Sequence, residues 1–106
     1  MAAALREVRE VTGLECLSLY SADICEQFYE ADRDSISLLP VFVGFVDPKS
    51  TVVLNGEHSE FKWVSFGEAS TMVPFAGQRY VLRHIESEFV QREPVRHLLI
   101  RDQVSA

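Results

Sequence analysis

Arg6, Glu7 and Glu10 lie close together near the start of the chain, in a stretch built from Ala, Leu, Arg and Glu. These are strong helix formers. At about 100° per residue, Glu7 and Glu10 share one side of a helix, while Ala4, Leu5, Val8 and Thr12 cluster on another. Carboxylates spaced three or four apart on a helix can offer several oxygens to one magnesium ion, which takes oxygen ligands in octahedral geometry and keeps some waters. A divalent cation held this way neutralises a polyphosphate, orients its phosphorus and acidifies a water. Arg6 and Glu10, four apart, can pair along the helix. Val11 sits at the border of the apolar face, nearer Glu7 than the apolar centre, and offers no oxygen. Taken alone, Glu7 and Glu10 read as a solvated charged face.

The remaining reactive side chains form no familiar constellation. His58, His84 and His97 have no paired-ligand spacing, and a structural role is expected for each. Cys16 and Cys25 form no CxxC pair and no zinc spacing. They read as buried free thiols in a reducing compartment. There is no Gly-x-Ser-x-Gly elbow and no glycine-rich phosphate loop.

The block Arg6-Glu7-Val8-Arg9-Glu10-Val11-Thr12-Gly13-Leu14 resembles the second half of the Nudix box, which reads Arg-Glu-U-x-Glu-Glu-x-Gly-U with U a bulky aliphatic. Val11 stands where that pattern has its second adjacent glutamate. The front half of the box, with its Gly and first Glu, would lie before Met1. A second stretch, Glu57-His58-Ser59-Glu60-Phe61-Lys62-Trp63-Val64 followed by Glu68-Ala69, is similar to the segment after the sheet in many Nudix proteins. It looks most like the subgroup that cleaves dATP or dihydroneopterin triphosphate.

The resemblance implies an α/β fold: a partial Nudix-type α/β/α sandwich with a mixed sheet, lacking its N-terminal strands, in a single truncated domain over residues 1–106. It implies a pyrophosphohydrolase acting on a nucleoside triphosphate or related diphosphate compound, with Mg2+ or Mn2+ as cofactor. Glu7, Glu10 and Glu57 would bind the metal, Arg6 would orient Glu7, and Glu57 would complete the catalytic set of Arg6, Glu7 and Glu57. Two of the four box carboxylates are present. Losing one charge-stabilising group commonly costs on the order of a hundredfold in rate, so weak or lost activity is expected. The alternatives are a catalytically inactive remnant that serves as an oligomeric binding or structural module, and a fragment with no evolved role.

The totals set bounds on these readings. The chain has 106 residues, of which 47% are hydrophobic and 25% charged, a globular composition for one small domain. Its net charge of −6 leaves no basic stripe for a nucleic-acid backbone. No secretory signal is visible. The longest apolar run, Leu38 to Val46, is about half of what a membrane span needs. A cytoplasmic protein that binds neither nucleic acid nor membrane is expected.

The elements that would position these residues follow from pattern. Ala2 to Thr12 predicts a helix closed by Gly13. Met1 stands almost inside it with no N-cap, so the chain reads as a truncation of something longer. Leu14 to Tyr29 predicts a strand interrupted near Ser21-Ala22-Asp23. Ser35 to Val46 predicts a second strand, buried on both faces as in a central strand, with Pro40 and Gly44 marking irregular pairing. Thr51 to Leu54 and Phe61 to Val64 predict short strands. A short helix or turn is expected from Phe66, a loop through Pro74, and a helix from Gln78 to Gln91, with Val81, Ile85 and Phe89 at intervals of four and Pro94 as its stop. Val95 to Ile100 is apolar and of open type. Trp63 is expected in the core. Strand edges left unpaired by the missing segment invite a second chain, so a homodimer or higher homo-oligomer is expected.

Overall fold

In the computed structural model, residues 2–49, 51–54, 56 and 62–102 are described, apart from the side chains of residues 2–5, 7, 16 and 102. The elements run α1 (Ala2–Thr12), β1 (Cys16–Glu30), β2 (Ser35–Val46), α2 (Phe66–Met72), α3 (Ala76–Ile85) and β3 (Leu99–Asp102). A π-helical turn, Glu86–Val90, follows α3, and a 3-10 turn, Arg96–Leu98, precedes β3. Mixed helix and strand content agrees with a small α/β fold. The chain divides into two compact units, Met1–Tyr20 with Phe42–Trp63 and Leu99–Ala106, and Ser21–Val41 with Val64–Leu98.

The three strands form one sheet in the order β2-β1-β3. β1 and β3 are antiparallel, with Ser18 opposite Asp102 and Leu19 opposite Arg101, and the register slips between Leu19 and Tyr20. β1 and β2 are joined by a four-residue turn, a connection too short for parallel strands. Among the described residues the sheet is therefore antiparallel, where a mixed sheet is expected from the resemblance.

In the first unit, Gly13 ends α1 at φ 72, the left-handed conformation that glycine adopts without steric cost. Its N–H donates to the Arg9 carbonyl at 2.9 Å. Thr12 Oγ1 donates to the Val8 carbonyl at 2.6 Å and accepts from the Leu14 N–H at 3.2 Å, which turns the chain into β1. Leu14 and Leu19 are the buried core here, Leu19 with 2% exposure. Tyr20 and Phe45 meet edge to face at 5.7 Å. Residues 51–54 are not a strand. Val53 instead donates its N–H to the Thr12 carbonyl at 2.7 Å, one isolated bond that latches the loop to the helix end.

In the second unit, the second half of β1 comes close to α3. A Cβ on Gly77 would meet the Gln27 carbonyl at 3.6 Å, so the helix start lies close to β1. Ser65 caps α2 by accepting from the Glu68 N–H at 3.1 Å. Phe75 donates its N–H to Gln78 Oε1 at 3.3 Å at the start of α3. Ala22 and Phe89 are buried. The interruption expected near Ser21-Ala22-Asp23 is a single residue, Asp23, at φ 65 within an otherwise continuous β1.

Several expectations fail for one reason: apolar character alone does not decide where a side chain lies. β2 is an edge strand, and Ile36, Leu38 and Leu39 are exposed, where burial on both faces is expected. Trp63 is 63% exposed rather than in the core, and residues 62–64 carry no strand. Cys25 is exposed, not buried; the Cys16 side chain lies outside the described residues.

Candidate functional site

Helix α1 carries three of the four residues expected to form a metal site. Arg6 and Glu10, one turn apart, pair at 3.8 Å between Nε and Oε1, and both side chains are more than half exposed. A pair this exposed contributes on the order of 0.3–0.5 kcal/mol to the helix. It also places a cation against the carboxylate expected to bind metal, so a metal at Glu10 competes with Arg6. The backbone of Glu7 lies in α1, but its side chain is outside the described residues, as is all of Glu57. Val11 is half-buried. Beyond the helix, Arg9 Nη1 stands 3.8 Å from Glu15 Oε1, again at the surface. Among the described residues no group of three or more His, Cys, Asp or Glu side chains is placed to hold a metal ion.

Two cavities of the second unit hold chemistry that the sequence reading does not assemble. The first, about 230 Å³, is lined by Asp23, His84, Glu88, Val95, His97 and Leu98. His84 Nε2 lies 2.7 Å from the carbonyl oxygen of buried Ala22. A carbonyl can only accept, so Nε2 is the donor of this bond. The structural role expected for His84 is thus met by a bond from α3 to β1. Asp23, at φ 65 within β1, also lines this cavity, and its N–H donates to Ser21 Oγ at 3.2 Å. Glu88 is partnered at the rim by Arg92 at 3.7 Å. The helical spacing of His84 and Glu88 was available as a signal, since four residues along a helix bring two side chains together. Asp23 and His97 could be added only by the fold.

The second cavity, about 390 Å³, lies between the end of β1 and the start of α3, and includes Glu26, Phe28, Tyr29, Phe75 and Gln78 in its lining. Tyr29 donates its hydroxyl to Asp34 Oδ1 at 2.6 Å. This hydrogen bond to a carboxylate, with a smaller contribution from desolvation, holds the Tyr29 hydroxyl above its ordinary pKa. On the inner side of the hairpin, Glu30 Oε2 accepts from Ser37 Oγ at 3.0 Å and from Ser35 Oγ at 3.5 Å.

No helix among the described residues is long and apolar enough to cross a membrane. No known protein family, curated protein or solved structure matches the chain.

Proposed function

We propose that the chain is a Nudix-type domain with a reduced metal-binding helix, a cytoplasmic protein acting weakly on the diphosphate linkage of nucleoside triphosphates or related compounds, or no longer acting on them. The observation that carries this reading is the Arg6-Glu7-x-x-Glu10 helix closed by Gly13 at positive φ, the order of parts that the box resemblance implies. Glu7 and Glu10 would offer oxygens to Mg2+ or Mn2+, with Glu57 as a further ligand. The cation would supply charge neutralisation and an acidified water. Arg6 would release Glu10 when the metal binds, since a divalent ion outweighs one exposed guanidinium.

The test is hydrolysis of a panel of nucleoside triphosphates with magnesium or manganese, read as pyrophosphate and phosphate release. Turnover that vanishes in Glu7→Gln supports the enzyme. If oxygen donors limit the rate, Val11→Glu raises turnover by about tenfold to a hundredfold. Silence in both the natural chain and Val11→Glu sinks the hydrolase reading.

A second reading, an inactive Nudix-type module that works by assembling with copies of itself, is favoured by a separate observation. Large apolar side chains of the β1–β2 hairpin stand in solvent.

A further inference from the structure

The cavity between the end of β1 and the start of α3 lies wholly within the second unit and shares no residue with the carboxylate helix α1. Its volume of about 390 Å³ falls in the range of small-molecule sites. Three aromatic side chains, Phe28, Tyr29 and Phe75, line it, and all three are exposed. An aromatic face is negative and attracts a cation placed over it. Among the described residues none of these three rings meets another ring or a cation.

The charge of the lining has the same sign. Glu26 is half-buried, and among the described residues its carboxylate has no ion pair and no hydrogen bond. None of the lining residues is Lys, Arg or His. Tyr29 donates its hydroxyl to Asp34, which brings a second carboxylate beside that ring. The start of α3 opposes them with a partial positive charge of about half a unit. That is less than the whole charge of Glu26. The helix start is also closed partly on itself: Phe75 N–H donates to Gln78 Oε1, and the N–H groups of Gln78 and Arg79 donate to the Phe75 carbonyl.

We propose that this cavity binds a small organic cation, an ammonium ion carrying methyl groups. Such an ion spreads its positive charge over an apolar surface, so it can rest on aromatic faces and still answer the Glu26 carboxylate. Magnesium gives up its waters reluctantly and asks for octahedral oxygen ligands, which one carboxylate among aromatic rings does not provide. An anion would meet Glu26. A neutral apolar ligand would leave that carboxylate half-buried with no opposite charge. The site is independent of the hydrolase reading, and neither falls with the other.

The test titrates choline into the full chain at constant ionic strength, with binding read by calorimetry and by the aromatic proton signals in NMR. Neohexanol, in which carbon replaces the ammonium nitrogen, is the uncharged reference. At exposed rings one cation–π contact strengthens binding roughly two- to fivefold, so choline should bind about tenfold more tightly than neohexanol or better. Phe75→Leu keeps an apolar side chain and removes the ring. It should weaken choline roughly two- to fivefold and leave neohexanol unchanged. Glu26→Gln should likewise weaken choline alone. Tyr80→Ala, at an exposed ring of α3 outside the cavity lining, should change neither. Far-ultraviolet circular dichroism confirms that each variant is folded. The site is overturned if choline does not bind, if neohexanol binds as well, or if inorganic phosphate binds in its place. Choline binding that survives Phe75→Leu or Glu26→Gln unchanged overturns it too.

Discussion

At the scale of single residues, backbone geometry and one hydroxyl make the sharpest demands. Gly13 sits at φ 72, and a Cβ there would lie 3.3 Å from the Val53 Cβ and 3.4 Å from the Val53 carbonyl oxygen. An L side chain in this conformation costs about 1–2 kcal/mol before the contact is counted. Gly13→Ala should therefore lower the unfolding free energy read from a urea titration by about that much or more; an unchanged midpoint would mean that the turn relaxes freely. Tyr29 illustrates the opposite case, a small and exposed effect. Its hydroxyl donates to Asp34, so its folded pKa lies above the ordinary value of 10.0. A group whose folded pKa is raised contributes stability that is complete below the unfolded pKa and fades as pH rises through the folded one. The contribution is thus present at neutral pH and lost only in strong alkali. Asp34→Asn removes the charge, and asparagine tolerates the φ of 49 found at this position. Phenolate absorbance should then show Tyr29 titrating at lower pH than in the natural chain.

At the scale of elements, α1, the β1–β2 hairpin and α3 were legible because each depends on neighbours in sequence. Helix formers run from Ala2 to a glycine stop. Val81, Ile85 and Phe89 share one side of α3 and its π-helical continuation, where Phe89 is buried. The sign of burial along β2 was not legible, because it depends on which strand lies beside it and which face the helices cover. The short strands expected at 51–54 and, within the described residues, at 62–64 fail for a related reason: β-forming residues become a strand only where a partner strand is in register. The candidate site divides in the same way. Arg6 and Glu10 meet through local helical spacing, whereas the His84 bond to Ala22 joins positions distant in sequence. That bond ties α3 to β1. His84→Ala leaves the buried Ala22 carbonyl without its donor, which should cost about 1–3 kcal/mol. A thermal unfolding curve tests this, and a loss near zero would show that water replaces the imidazole.

At the scale of the whole molecule, the acidic balance and the apolar hairpin face act in opposite directions on self-association. Copies at net charge −6 repel over distances set by the ionic atmosphere, about 10 Å at 0.1 M salt and 3 Å at 1 M. An uncharged contact loses nothing to screening, and salts excluded from protein surface strengthen apolar burial. On the self-association reading, raising salt should therefore tighten a contact made through the exposed apolar side chains of the hairpin. Lowering the pH from neutral towards the sequence pI of about 4.9 should act in the same direction as the net charge falls. A contact built from ion pairs behaves oppositely: salt loosens it, and protonating its carboxylates breaks it. Light scattering across a salt series at fixed protein concentration thus reports the chemistry of the contact as well as its existence. If the mean mass falls as salt rises, the copies meet through their charges, and the exposed apolar side chains of the hairpin are not where they touch.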